Sequence, residues 1–243
     1  MLRSVSASAE TLVIDSRFNG PPESGNGGYV CGLVAGLLGT GPAEVALRVP
    51  PPLDSELAVR RSKGAASLYD EDVLVAEGRA LEKLELEVPE VLDADAAAQA
   101  SSRYPWIEEH YFPTCFVCGP KRPHHDGLEI FTGQAGSTDL FGATWTPAVE
   151  LADESGRVRS EIVWAALDCP TGLVAVTSGE EAPGVLGTLA ASIDGPIEAG
   201  HPYVITAWLL GIDGRKRTAA AVISDSDGSV VARSRAMWIE LRL

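Results

Sequence analysis

The chain has 243 residues, 45% of them hydrophobic and 22% charged, with a formal net charge of −15 at pH 7. Those proportions suit a folded globular protein and exclude a disordered or fibrous one, while the acidic balance argues against a nucleic-acid surface, because phosphate backbones call for a broad basic face. No apolar run reaches the ~20 residues of a bilayer-spanning helix, and the opening "MLRSVSASAETLVID" lacks the apolar core of a secretory leader, so the chain is read as cytoplasmic, with no membrane partner.

In chain order, "TLVIDSRF" (11–18) has strand character. Asn26-Gly27-Gly28 then opens an apolar segment over 28–38 with no titratable side chain, which predicts a buried helix capped by Asn26. The stretches 43–54, 56–72 and 73–86 follow as a meander of strands. From 88 to 113 the composition becomes Ala-rich and acidic, then aromatic and proline-punctuated, which marks a connector with a short helix over 93–102. Beyond it, "LEIF" (128–131) and "LFGATWTP" (140–147) read as strands, and 161–176 as a second apolar helix with Asp168 in its middle. Pro170 would leave the carbonyl of Ala166 unpaired and put a kink or helix end beside that acid. The stretches 185–200, 202–228 and 229–243 form a second meander, with Asp-Gly hairpin signals in "IDGR" and "SDSDG".

Both flanks of the connector thus run strand, helix, meander, which is a tandem repeat of one α+β unit. The domain boundaries are set at 1–90, a linker at 91–112, and 113–243. A lone helix that is apolar nearly all round must be wrapped by its sheet rather than laid on a surface. Gly28, Gly32 and Gly36 share one face of the first helix. Close packing accounts for the latter two, and an acyl tunnel could run along the same face.

The stretches "CFVCGP", "DGLEIF" and "DGRKRTAAAVISDSDGSVVARSRAMW" resemble hotdog thioesterases of the phenylacetate-degradation type, and the tandem layout resembles double-hotdog acyl-CoA thioesterases. The resemblance covers nearly all of the chain outside the linker. It implies, in each half, an antiparallel sheet wrapped around a long central helix, and hydrolysis of an acyl-CoA or related acyl thioester without a cofactor. In such relatives a His-Gly-Gly or Asn-Gly-Gly starts the central helix and an acid follows seven residues after the second glycine, the site being built across two hotdogs. Here Asn26-Gly27-Gly28 supplies the first part, but seven residues on stands Ala35; seven residues before Asp168 stands Glu161, with Arg159-Ser160-Glu161 where the glycines would be. Each half keeps what the other lacks, so one composite site is expected.

The resemblance assigns roles accordingly. Gly28 N–H, with Gly27, would face the thioester oxygen, using helix-start amides that have no intrahelical acceptor. Asn26 would cap the helix or hold substrate or water. Asp168 would activate water or attack the carbonyl, its carboxyl raised by burial from the ordinary ~3.9. Thr171 would help to place the water. The basic clusters Arg215, Lys216, Arg217 and Lys121, Arg122 would meet pantetheine phosphates, although hairpin tips solvated by charge account for them equally well. Two fused chains pairing as a homodimer fits the family. The alternative is a protein that binds acyl-CoA or another hydrophobic small ligand without turnover.

Other chemistries fit less well. Four cysteines are too few for a disulfide framework, and Cys31 and Cys169 sit in apolar segments as small hydrophobes. Cys115-x-x-Cys118 followed by His124 and His125 has zinc-ligand types, but the spacing is too short for a finger and adjacent histidines rarely share an ion, so a tight turn without metal is expected. No βαβ pattern supports a thioredoxin-like role, no G-x-S-x-G is present, and no histidine follows Asp168 closely enough for a hydratase.

Overall fold

The computed structural model describes residues 10–178 and 183–241. Its elements are β1 (Thr11–Val13), α1 (Gly27–Gly36), β2 (Ala43–Leu47), β3 (Glu56–Ser62), β4 (Ala65–Asp70), β5 (Val73–Ala80), α2 (Ala94–Ser101), β6 (Gly133–Gln134), β7 (Leu140–Trp145), α3 (Ser160–Thr177), β8 (Gly184–Ile193), β9 (Tyr203–Asp213), β10 (Lys216–Ser224) and β11 (Val230–Glu240). The strands form one antiparallel sheet in the order β1-β3-β4-β5-β2-β8-β11-β10-β9-β7-β6. Its seam is the pairing of β2 with β8, Ala43 opposite Ala191 through Ala46 opposite Thr188. Helix α1 packs on β2, β4 and β5, helix α3 on β7 to β11, and the two helices pack on each other.

That helix contact is closer than ordinary side chains allow. A Cβ on Gly28 would collide with the Asp168 side chain and lie 2.7 Å from the carbonyl oxygen of Trp164; one on Gly32 would lie 2.5 Å from Glu161 Cα. Gly36 does not belong with them, because nothing lies within 4 Å of where its Cβ would be. Close packing, expected for Gly32 and Gly36, therefore holds for Gly32 alone, and Gly28 joins it.

Within the stretch 56–72 of the first meander, Gly64 takes φ +71° and turns β3 back as β4. Three local expectations change. The stretch 128–131 is not a strand: Glu129 has φ 54°, which breaks the extended run, although Leu128 and Ile130 N–H still donate to the carbonyls of Phe116 and Val117. Helix α3 does not end near Pro170 but runs on to Thr177. Losing one backbone bond at proline is outweighed because nearly every residue from Ile162 to Val176 is buried under the sheet. The first strand is short as well, closing at Val13 before Asp15 caps a single turn of 3-10 helix over Ser16–Phe18. The connector's helix is α2, started by Asp93, whose carboxylate accepts the N–H of Ala96, and it packs on β7.

Among the described residues, no helix is long and apolar enough to cross a membrane.

Candidate functional site

The start of α1 is held from outside the helix. Gly25 N–H donates to the Pro51 carbonyl at 2.9 Å and Asn26 N–H to that of Phe18 at 2.7 Å, while Asn26 Oδ1 accepts the N–H of Tyr29 at 2.9 Å as the cap. With its oxygen committed, Asn26 has only its amide nitrogen to turn toward α3. There Nδ2 lies 3.3 Å from Asp168 Oδ2, and the same oxygen accepts the N–H of Gly28 at 2.8 Å. Asp168 is 2% exposed, and its other oxygen, Oδ1, has no hydrogen-bond partner among the described residues. Burial pushes the carboxyl up to about 7, against the pull of the Gly28 and Asn26 donors in the other direction.

These groups stand at the wall of a largely apolar cavity of about 300 Å³. Asn26, Gly27 and Asp168 are part of its wall, and Trp106, Phe112, Leu173, Leu186 and Trp238 supply much of its apolar lining. Gly27 faces this space as the first residue of the helix, where amides lack an intrahelical acceptor.

A cluster of thiols adjoins the acid. Cys115 and Cys118 come from the loop after α2, and Cys169 follows Asp168 in α3. The three sulfurs all lie within 4.8 Å of one another, with Cys115 Sγ 3.7 Å from Cys169 Sγ. Asn26 Nδ2 approaches both of these sulfurs at 3.9 Å. Cys118 Sγ lies 3.4 Å from His110 Nε2, whose Nδ1 accepts the N–H of Phe112 at 2.7 Å. Bonds from Cys118 and Cys169, then from the backbone N–H groups of Cys118 and Val117, draw the Cys115 thiol well below its ordinary range despite burial. Sharing that one negative charge pushes Cys118 and Cys169 up. All three cysteines, and His110, line the cavity.

The structure thus brings Asn26, Gly27, Gly28 and Asp168 together from stretches far apart in sequence. Thr171 stays one turn away: its buried hydroxyl donates to the Asp168 carbonyl at 2.6 Å and accepts Trp238 Nε1–H at 2.9 Å, and it does not border the cavity. The basic residues do not converge on this end. Lys121 is exposed on the loop. The Arg122 side chain is 8% exposed, donates to Asn19 Oδ1 and to the carbonyls of Thr114 and Arg17, and pairs with Asp126 at 3.0 Å. Such a side chain braces the loop and leaves little for a phosphate. Arg217 pairs with Glu240 at 2.6 Å and Arg215 donates to the Glu240 carbonyl, while Lys216 is exposed. Arg217 and Lys216 do stand opposite Trp238 and Ile239 across β10 and β11, and those two partners line the cavity.

His124 and His125, considered beside the Cys pair in sequence, lie instead with Glu129 in a separate exposed group. Residues not anticipated include Arg48, a cavity-wall cation whose Nε donates to Glu77 at 2.9 Å, and the Cys169 thiol, hidden in sequence by its apolar surroundings. An isolated Arg between apolar residues carries no pattern that singles it out.

No protein-family model matches the chain, and no curated protein matches it. Solved structures do. A conserved protein of unknown function with a hot dog fold from Alicyclobacillus acidocaldarius superposes with a TM-score of 0.62 at 9% identity, over 94% of this chain and 91% of that one. The tesB protein of Mycobacterium avium subs paratuberculosis gives 0.59 at 11% identity, over 98% of this chain and 91% of that one. At such identities the likeness is one of fold, and the fold is the hotdog fold.

Proposed function

We propose that this chain is a tandem double hotdog, with units 1–90 and 113–243 joined by 91–112, that hydrolyses an acyl thioester of the acyl-CoA class at one composite site between its two helices. The observation that carries the reading is the 2.8 Å bond between Gly28 N–H of α1 and Asp168 Oδ2 of α3, with Asp168 lining an apolar cavity. Two partners so placed divide the labour of the site: one helix start supplies amides and the other helix supplies a carboxylate.

The Gly28 amide orients the acid instead of facing the substrate. With Oδ2 fixed by Gly28 and Asn26, Oδ1 is left to take a proton from water. The water oxygen attacks the thioester carbon, the carbonyl oxygen gains charge, and Gly27 N–H at the positive end of the helix is the donor nearest to that role. The carbon–sulfur bond then breaks and the thiolate departs, taking up a proton. The acyl group occupies the apolar cavity, and Arg48, with the exposed Lys216 paired across the sheet to Ile239 of the cavity lining, meets the phosphates of the carrier. A preformed, largely apolar pocket favours an apolar acyl chain over a charged one.

Binding without turnover has one observation in its favour: the amide expected to face the thioester oxygen is occupied by Asp168. One assay separates the two readings. The chain is incubated with a panel of acyl-CoA esters and free thiol is measured, for wild type and for Asp168→Asn. Thiol release by wild type, lost in the variant, supports hydrolysis; saturable binding with no release by either protein overturns it in favour of a carrier or sensor.

A further inference from the structure

We propose that Cys115, Cys118 and Cys169 bind one zinc ion, with its fourth coordination position open to the apolar cavity. The inference does not depend on the chain being a hydrolase.

Three of the chain's four cysteines meet here from two stretches more than fifty residues apart, all with their sulfurs within 4.8 Å of one another. Two thiolates on one tetrahedral zinc, each at about 2.3 Å from the metal, are separated by about 3.8 Å. Cys115 and Cys169 are separated by 3.7 Å, far beyond the about 2.05 Å of a disulfide.

The backbone around the pair forms a tight turn, with Gly119 N–H donating to the Cys115 carbonyl at 2.9 Å. It closes so tightly that a Cβ on Gly119 would lie 2.5 Å from the Cys115 nitrogen and 2.6 Å from its carbonyl oxygen, so Cys115-x-x-Cys118 requires the glycine that follows it. Side chains complete the shell. Asn26 Nδ2, which also faces Asp168 Oδ2, lies 3.9 Å from the Cys115 and Cys169 sulfurs, and His110 Nε2 lies 3.4 Å from that of Cys118, so N–H donors surround the cluster. Donors of this kind orient ligands and offset their charge.

His110 itself belongs to that outer shell and is not the fourth ligand. Its Nδ1 accepts the Phe112 N–H, so the neutral ring carries its proton on Nε2 and donates to Cys118 Sγ. Three protein ligands therefore remain, and each of the cysteines lines the cavity. Binding displaces the thiol protons that remain on the cluster, and one divalent ion with three thiolates leaves a complex of net charge −1. Soft thiolates select zinc over magnesium or calcium, and three ligands with one open position is the arrangement of zinc sites that hold water or a further ligand. A thiol or a water molecule entering from the cavity is the natural fourth ligand.

The test uses the full chain, purified under reducing conditions without a histidine tag. Metal content is measured after equilibration with zinc followed by gel filtration, and the cobalt-substituted protein is examined by absorption spectroscopy. Stoichiometric zinc, an intense near-ultraviolet thiolate-to-cobalt charge-transfer band, and protection of three thiols from alkylation until a chelator is added are expected. Cys115→Ser and Cys169→Ser each lose the band, whereas Cys31→Ala, a cysteine in α1 away from the cluster, keeps it. Folded wild type that retains no zinc and gives no charge-transfer band overturns the proposal without recourse to any variant. So does cobalt bound without thiolate character, which would place the ion at His124, His125 and Glu129, and so does a disulfide between Cys115 and Cys169 in the metal-free protein that zinc does not prevent.

Discussion

Gly28 and Asp168 stand 140 positions apart in the sequence, yet the amide of one donates to the carboxylate of the other at 2.8 Å in a place almost closed to solvent. The contact exists because α1 has no side chain at that point, and it leaves one carboxylate oxygen without a partner among the described residues.

Replacing Asp168 by Asn keeps the size of the side chain and one acceptor for Gly28 N–H but removes the proton-accepting oxygen. Thiol release from acyl-CoA should fall about 10²–10⁴-fold. Melting temperature should not fall, since a buried carboxyl with an unpartnered oxygen is replaced by a neutral group. A variant that keeps its rate would remove Asp168 from the chemistry.

The glycines of α1 should separate by position. Gly28→Ala and Gly32→Ala drive a methyl group into the Trp164 carbonyl and Glu161 Cα respectively, and overpacking of that kind typically costs about 1–3 kcal/mol. Gly36→Ala meets nothing and gains helix propensity, with an expected stabilisation of about 0.4–1 kcal/mol. Urea denaturation of the three variants reads the contrast directly; equal effects at Gly32 and Gly36 would contradict the helix packing described here.

Thr171 should prove structural. Thr171→Val leaves Trp238 Nε1–H without its acceptor, at a cost of about 1–3 kcal/mol, while Thr171→Ser keeps both bonds. Melting curves should show the loss for Val and its rescue by Ser, with kcat little changed in either. A large fall in kcat for both would return Thr171 to the catalytic set.

Arg48 is the cavity-wall cation that still has an exposed side chain. Arg48→Gln should raise KM for acyl-CoA several-fold at low salt and leave KM unchanged for an acyl-pantetheine that lacks the phosphates. Equal KM shifts for both substrates would show that the side chain acts on the acyl end.

The sequence by itself determined the elements that depend on neighbours along the chain. Asn26 before two glycines starts a helix, Asp93 starts another, and Asp-Gly at 213–214 turns a hairpin. It also suggested a pairing of the Asn26-Gly27-Gly28 start with the distant Asp168. Where Glu129 takes φ 54°, local propensity gave the wrong outcome, since backbone bonds to the distant Phe116 and Val117 hold that stretch. Only the tertiary structure joined the Gly28 amide to the Asp168 carboxylate, drew Arg122 inward to brace Asn19, and gathered Cys169 to Cys115 and Cys118 while sending His124 and His125 elsewhere. The physical reason is that periodicity records which residues are buried, whereas the partner met on burial is set by how closely two helices and a loop pack against one sheet, and no spacing along the chain encodes that distance.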